Sequence, residues 1–220
     1  MVKFLVAQTP KSKTRYRARA ALSDSLLDLG NSSFKYDQHV SVTAGSIKQS
    51  DVGGLLKVGS DGFSFDEAWL LDIGCGCGYM AASAVDSGRF SKVDGVEVCR
   101  NRFELCEQLF NTPASRRMLL EKSVTSKFFC NEFLTFAREA RDSFAYTHLF
   151  MYDTAFTIEF LDDFLLFLSS NASVRVLICS EVYKKRRDAV KLLGFDFKFA
   201  KKCSTQAGIS SVMFYVLARS

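Results

Sequence analysis

The chain has 220 residues, of which 48% are hydrophobic and 24% are charged. This composition fits one globular domain with a sizeable core and excludes a disordered or low-complexity chain. No window is long and apolar enough to span a bilayer, and the apolar run Phe4–Ala7 is too short for a signal peptide, so we expect no membrane partner. We expect the seven cysteines to be reduced and mostly buried.

The net charge of +5 is distributed unevenly along the chain. One basic segment spans Lys11–Arg19, and a second spans Lys184–Arg187 and is followed by further lysines. Such clusters are typical either of solvated surfaces or of contacts with a polyanion such as nucleic acid. Charge alone does not separate these two interpretations.

From Trp69 onward, short apolar runs alternate with amphipathic stretches. The predicted strands are WLLDI, KVDGVEV, KFFCNEFL, THLFMYD, VRVLICS, FDFKFAKK and SSVMFYVLA. The predicted helices are MAASAVDSG, RNRFELCEQLF, a stretch near 136–143, IEFLDDFLLFL and YKKRRDAVKLLG. This alternation predicts an α/β fold with a mostly parallel, seven-stranded sheet and helices on both faces. The closing strand pair predicts that the last strand is antiparallel.

We divide the chain into an N-terminal extension, residues 1–65, and a main domain, residues 66–220. The extension holds the basic segment Lys11–Arg19 and a predicted helix with the sequence ARAALSDSLLDLG. A second apolar pattern follows near Ile47–Leu56. The main domain holds the strand–helix units and every motif with an evident chemical role.

The stretch LLDIGCGCGYM joins the first predicted strand to the first helix of the main domain. Such loops bind nucleotides or phosphates in open α/β sheets, and Gly74, Gly76 and Gly78 let the backbone approach a ligand closely. The G-x-G-x-G spacing matches neither the dinucleotide fingerprint nor a P-loop. Asp72 precedes the glycines, where a carboxylate would attract an ammonium group and repel a pyrophosphate.

A cysteine site is the alternative interpretation of the same loop. Cys75 and Cys77 lack the C-x-x-C spacing of metal and redox pairs, and no second cysteine pair or histidine cluster accompanies them. His39 and His148 are isolated in the sequence. We therefore expect no metal ion, and we interpret the two cysteines as small side chains between the glycines.

Glu97 ends the second predicted strand, where a carboxylate is placed to accept hydrogen bonds from both ribose hydroxyls. An acid before the loop, the glycines, and an acid at the next strand end together resemble class I S-adenosylmethionine-dependent methyltransferases. The resemblance implies their Rossmann-like fold, with S-adenosylmethionine as the cofactor and S-adenosylhomocysteine as the product. It places Asp72 and Gly74 at the methionine end of the cofactor. An α/β domain with a tight turn and no ligand is the alternative.

The third predicted strand ends in N-E-F-L. At this position Glu132 would accept a hydrogen bond from the adenine amino group, while Phe133 would lie against the ring. The alternative is that Phe133 belongs to the core, since the chain has 21 phenylalanines.

The fourth predicted strand ends in F-M-Y-D-T-A-F, which resembles the F-V-N-N-F-A-F stretch of the disruptor-of-telomeric-silencing (DOT) family of non-SET histone lysine methyltransferases. Further segments match that family in the same order. NEFL resembles the family's G-D-F-L, and VRVLICSEVY resembles its strand ending in S-S-K-P. STQAGISSVMFYVLARS resembles its last hairpin. The stretch from KYD through SVTAGSIKQSDVGGLL resembles its Y-G-E-x-T loop and the following helix. The resemblance covers roughly residues 33–219.

This resemblance implies a nuclear enzyme that methylates a lysine of a core histone of the H-three type in the nucleosome. The methyl-acceptor channel would contain Tyr152, Asp153 and Phe156, with Asp153 holding the incoming ammonium. Tyr36 and Thr43 would cover the methionyl group. The basic segments Lys11–Arg19 and Lys184–Arg187 would contact nucleosomal DNA.

Three departures from the DOT pattern affect the predicted site. Tyr79 stands where the family has a glutamine after the glycines, Asp37 and Gln38 replace its Gly-Glu, and Tyr152 with Asp153 replaces its paired asparagines. The fourth strand end also lacks the prolines of the enzymes that methylate base amines. An RNA methyltransferase of the same fold and a catalytically silent binding subunit therefore remain as alternatives.

Overall fold

The computed structural model describes residues 47, 49–141, 143–204 and 211–219. The strands are β1 (Trp69–Ile73), β2 (Lys92–Glu97), β3 (Phe128–Cys130), β4 (His148–Met151), β5 (Val176–Cys179), β6 (Phe195–Ser204) and β7 (Ser211–Arg219). The helices are α1 (Gln49–Ser60), α2 (Tyr79–Ser87), α3 (Arg100–Phe110), α4 (Pro113–Lys122), α5 (Phe133–Glu139), α6 (Ile158–Ser170) and α7 (Glu181–Leu192). Tyr36, Thr43 and the basic segment Lys11–Arg19 lie outside the described residues.

The seven strands form one sheet in the order β3-β2-β1-β4-β5-β7-β6. The first five strands run parallel, and β7 lies antiparallel between β5 and β6. The predicted α/β fold, its mostly parallel seven-stranded sheet and its antiparallel last strand are thus confirmed. Strand order reverses between β1 and β4, which is where open α/β sheets bind their ligands.

Helices cover both faces of the sheet, so successive side chains of the central strands are buried in alternate directions. Leu71 and Ile73 of β1 enter the core that the sheet shares with α5, α6 and α7. Asp72, between them, faces α2, whose Ala81 N–H donates to its carboxyl group. Because both faces of β1 are buried, WLLDI is apolar at every position except Asp72.

Helix α1 comes from the predicted extension and packs on the sheet over β5. A Cβ at Gly59 would lie only 3.0 Å from Ile178 Cδ1, so the close approach of α1 depends on glycine. His148 Nε2 donates to the Gly59 carbonyl at 3.0 Å, and burial lowers the pKa of this histidine to about 4. At the other end of α1, Asp51 pairs with Lys201 at 3.3 Å.

Two of the differences from the sequence prediction have an evident local cause. Strand β3 ends at Cys130, three residues after the start of KFFCNEFL, because Glu132 accepts the first amides of α5 and starts that helix early. Helix α4 was not predicted. Its start is marked by Thr112, whose hydroxyl accepts from the Ser115 N–H, and by Pro113 in the first turn.

The end of β4 is tied to the start of α7 by the Asp153 carboxylate. Asp153 Oδ1 accepts from the Ser180 N–H at 2.8 Å, the Ser180 hydroxyl at 2.5 Å and the Glu181 N–H at 2.9 Å. Its Oδ2 accepts from the Val182 N–H at 2.6 Å. Asp153 is fully buried, and its carboxylate accepts the amides that the first turn of α7 leaves unpaired.

No helix in the described ranges combines the length and the apolar character needed to cross a bilayer.

Replacing Asp153 with alanine should lower the free energy of unfolding by about 3 kcal/mol, since three buried amides lose their acceptor. For a domain of this size the melting temperature should fall by roughly 6–12 °C, measured by circular dichroism.

Asp163 is the matched control, since it is exposed on the neighbouring helix α6. Asp163→Ala should change stability by less than about 0.5 kcal/mol. A melting temperature for Asp153→Ala equal to that of the control would contradict the role of Asp153 at the start of α7.

Candidate functional site

The glycine loop lies at the carboxyl edge of the sheet, directly after β1 and next to the point where strand order reverses. Gly74 N donates to the Val96 carbonyl at 2.8 Å and Cys75 N donates to the same oxygen at 3.1 Å. These two bonds bend the chain away from β1 over the end of β2. The loop then enters α2 at Tyr79, a half-buried side chain.

The path of this loop requires its glycines. Gly74, Gly76 and Gly78 have φ values of +72°, +55° and +84°, a region that other residues rarely adopt. At Gly78 space is also limiting, because a Cβ there would lie 2.6 Å from Cys106 Sγ. At Gly76, in contrast, no described atom lies within 4 Å of a Cβ position, so the backbone there is open to a ligand.

Glu97 ties the glycine loop to the loop that follows β2. Its Oε2 accepts from the Gly76 N–H at 2.8 Å, and its Oε1 accepts from the Cys99 N–H at 2.8 Å. Each carboxylate oxygen has a second lone pair, so both can accept one further hydrogen bond each. Glu97 is thus held in place and retains the capacity to bind a pair of hydroxyl groups.

Val98 is a candidate site residue that the sequence analysis missed. It was predicted to lie inside the strand KVDGVEV, but β2 ends at Glu97 and the Val98 side chain is 56% exposed. An apolar side chain directly after an acidic strand end was the available signal. It gives the site an apolar surface next to the Glu97 carboxylate.

Asp72 has an oxygen with no partner. The residue is 2% exposed, and among the groups that the structure describes none donates to its Oδ2. Burial, together with the nearby Glu97 carboxylate, raises the pKa of Asp72 to about 8. A buried carboxyl group in this state is stabilised in its ionised form by a cation.

The thiols of the loop cysteines are held in their protonated form by their surroundings. A hydrogen bond with the Cys106 thiol, followed by burial, raises the pKa of Cys75 well above its usual range. Burial raises the pKa of Cys77 to about 11. Both thiols are therefore protonated near neutral pH, and within the described ranges no group of three or more His, Cys, Asp or Glu side chains could hold a metal ion.

The three predicted acceptor residues have different surroundings in the structure. Phe156 lies against the glycine loop, because a Cβ at Gly74 would be 3.3 Å from Phe156 Cζ. Tyr152 is half-buried, with its ring centroid 5.6 Å from that of Phe214 in β7. Asp153 was expected to hold an incoming ammonium, but its carboxylate is buried and occupied by the amides at the start of α7.

The two residues expected at the adenine ring also have other partners. Both oxygens of the Glu132 carboxylate accept α5 amides, from Leu134 at 2.9 Å and Thr135 at 2.8 Å. Phe133 is 4% exposed and packs in the core, with its ring centroid 5.1 Å from that of Phe167. The alternative that Phe133 belongs to the core is the one that the structure supports, because α5 turns this side chain inward.

The residues present fit the cofactor that the sequence resemblance implied. Asp72 offers an unpartnered carboxylate oxygen for an ammonium group, and Glu97 offers free lone pairs for two hydroxyls. Gly76 offers open backbone, and Val98 offers an exposed apolar surface. All four lie around the ends of the adjacent strands β1 and β2.

No family model and no curated protein matches this sequence. Solved structures do match. They include magnesium protoporphyrin IX methyltransferase from Synechocystis with bound S-adenosylmethionine, at a TM-score of 0.52 and 16% identity, with 97% of this chain and 100% of that chain covered.

Two further similar structures carry names of RNA enzymes. A candidate RNA methyltransferase from Pyrococcus horikoshii has a TM-score of 0.59 and 15% identity, with 90% of this chain and 98% of that one covered. A candidate tRNA (m1A22) methyltransferase from Streptococcus pneumoniae has a TM-score of 0.53 and 16% identity, with 75% and 69% covered. The chain therefore has the Rossmann-like fold of class I S-adenosylmethionine-dependent methyltransferases.

Proposed function

We propose that the protein is an S-adenosylmethionine-dependent methyltransferase. The observation that carries the proposal is the buried Asp72 carboxyl group, whose Oδ2 faces no described donor beside the glycine loop. When bound, S-adenosylmethionine supplies a methyl group activated by the positive charge of the sulfonium. The fold shared with known methyltransferases supports the same conclusion.

The charge of the site favours this cofactor over a dinucleotide. Asp72 and Glu97 are both buried at the loop, with exposures of 2% and 3%. A pyrophosphate on the loop would be repelled by the ionised form of Asp72, whereas an ammonium group would stabilise that form. Glu97 would then accept the ribose hydroxyls, and Val98 would pack against the base.

The chain's own contribution to catalysis would be positioning and exclusion of water. Phe156 lies against Gly74, and Tyr152 lies at the end of β4, so an acceptor placed between them would be close to the loop. An apolar surrounding disfavours a protonated amine acceptor and favours its neutral, nucleophilic form. Asp153 would act through α7, by holding the β4 end that carries Tyr152.

The acceptor has two candidate classes. A histone lysine in the DOT manner rests on the resemblance of F-M-Y-D-T-A-F and stays a prediction, as do the nucleosome partner and the nuclear location. An RNA acceptor is favoured by the exposed cations and aromatic rings beside α7. We place RNA first, because Asp153, the residue assigned to receive the lysine ammonium, is occupied by backbone amides.

Replacing Asp72 with asparagine should weaken S-adenosylmethionine binding by about 10- to 100-fold, because a charged hydrogen bond is lost. The wild-type protein should also release close to one proton on binding at about pH 7, since the free Asp72 carboxyl has a pKa of about 8 and ionises beside the cation. Calorimetry in buffers of different ionisation enthalpy measures both quantities. Near this pH the cofactor's own amino group stays largely protonated.

Asp94→Asn provides the control, since Asp94 is also a buried carboxyl but is bound by Tyr146 and Lys127 in the amino-terminal half of β2. This variant should be less stable but should bind the cofactor with unchanged affinity. Equal affinity and equal proton release in Asp72→Asn and the wild type would refute the assignment of Asp72.

A further inference from the structure

Helix α7 and strand β6 together form an exposed surface, the basic-aromatic face, that the cofactor site does not use. Its members share one side of the sheet edge and are either cationic or aromatic. The exposed members are Lys184, Arg187, Lys191, Phe197 and Lys202, and the buried ring of Tyr183 packs against Phe197.

The α7 part of the face is a stripe of cations. Lys184, Arg187 and Lys191 are all exposed, but the backbone of α7 is kinked at Arg186. Arg187 and Lys191, four residues apart after the kink, share one side of the helix. The Arg187 guanidinium lies 5.8 Å from the centroid of the Tyr183 ring. In the described part of the chain, no acid lies within ion-pair distance of Arg187 or Lys191.

Not every cation of α7 is available to a ligand. Arg186 is bound by both carboxylate oxygens of Asp162, at 2.6 and 3.1 Å. Lys184 and Lys185 lie 3.5 and 3.2 Å from Glu181, but exposed pairs of this kind contribute little stability and can be exchanged for a phosphate. Arg186 thus joins α7 to α6, whereas Arg187 and Lys191 have no acid of the described chain within ion-pair distance.

The β6 part of the face carries the exposed aromatic ring. Phe197 is 49% exposed and stacks on Tyr183, with ring centroids 6.1 Å apart and an interplanar angle of 24°. Lys202 pairs with Met213, two residues along β7 from Tyr215, which also contacts Tyr183. Since side chains two residues apart share one face of a sheet, Lys202 lies on the same side as Tyr183.

The face is continuous with the predicted acceptor site. Helix α7 begins at Glu181, whose N–H donates to Asp153, the neighbour of Tyr152. The first cation of the stripe, Lys184, is one turn further along α7. A chain bound along this face would therefore run towards the carboxyl edge of the sheet, where β4 ends.

We propose that the basic-aromatic face binds single-stranded RNA and delivers it to the methyl-transfer site; this rests on the proposed function. Cations placed along a groove bind successive phosphates, and an exposed aromatic ring offers a surface on which an unpaired base can stack. Duplex DNA, including nucleosomal DNA, keeps its bases stacked inside the helix, so it offers no unpaired base to stack on the Phe197 ring. Unpaired segments of RNA present both features.

The test measures binding of the full chain to a fluorescein-labelled oligouridine by fluorescence anisotropy at several salt concentrations. Combined Lys184→Gln, Arg187→Gln and Lys191→Gln should weaken binding by about 10-fold or more. The slope of log affinity against log salt should become shallower by about 2, because three phosphate contacts are lost.

The matched control removes three exposed cations from α4, beside the opposite edge of the sheet. Combined Arg116→Gln, Arg117→Gln and Lys122→Gln changes the net charge equally and should leave oligouridine affinity within about 2-fold. An equal loss in the two triple variants would overturn the proposal, because binding would then depend on net charge alone.

Phe197→Ala should weaken oligouridine binding by about 10-fold, whereas Phe197→Tyr, which keeps the ring, should restore it. Neither change should affect binding of a labelled DNA duplex. Unchanged RNA affinity in Phe197→Ala, or a duplex or nucleosome bound as tightly as oligouridine, would each refute a single-stranded RNA site.

Cofactor binding and RNA binding are measured separately, so the two proposals can fail independently. Asp72→Asn should bind oligouridine as the wild type does, because Asp72 is buried at the glycine loop. A chain that binds S-adenosylmethionine but not oligouridine would refute the RNA-binding role of the basic-aromatic face and leave the proposed function intact. A chain that binds oligouridine but not S-adenosylmethionine would refute the proposed methyltransferase function. It would also refute the delivery of RNA to a methyl-transfer site.

Discussion

At three places on the carboxyl edge of this sheet, buried carboxylates accept backbone amides that the turn from strand to helix leaves without partners. Glu97 accepts from Gly76 and Cys99, Asp72 from Ala81, and Asp153 from the first turn of α7. These bonds fix the carboxyl ends of β1 and β2 relative to the loops and helices that follow them, and the end of β4 relative to α7, the helix after β5. The geometry of the candidate site depends on them, because every site residue lies on one of those junctions.

The carboxylates at these junctions differ in how many hydrogen bonds they accept. Asp153 accepts four hydrogen bonds and is fully buried, which makes it a structural residue. Glu97 accepts two and retains lone pairs, whereas Asp72 is buried with one oxygen unpartnered by any described group. Since burying an ionisable group without a partner is costly, Asp72 is the acid that we propose to face a ligand.

The fold does not by itself define the substrate of the proposed reaction. A methyl-transfer site at the switch point of this sheet is compatible with small molecules, proteins and nucleic acids, and function has to be argued from side chains. The basic-aromatic face supplies the argument for the proposed RNA substrate, because it combines exposed cations with the exposed Phe197 ring of the edge strand β6. On this proposal, charge would steer a polyanion to the face, and the ring would distinguish unpaired bases from a duplex.

By itself the sequence determined the sheet, the glycine loop and the antiparallel last strand. Buried strands must be apolar runs, and the backbone path at Gly74, Gly76 and Gly78 requires glycine, so both leave a direct trace in the residue order. Only the tertiary structure decided what each carboxylate contacts. An acid at a strand end can face a ligand or the amides of the next helix, and Asp153 was predicted to do the first but does the second. The basic-aromatic face likewise depends on packing, because its cations and its ring come from different elements that only the fold brings together.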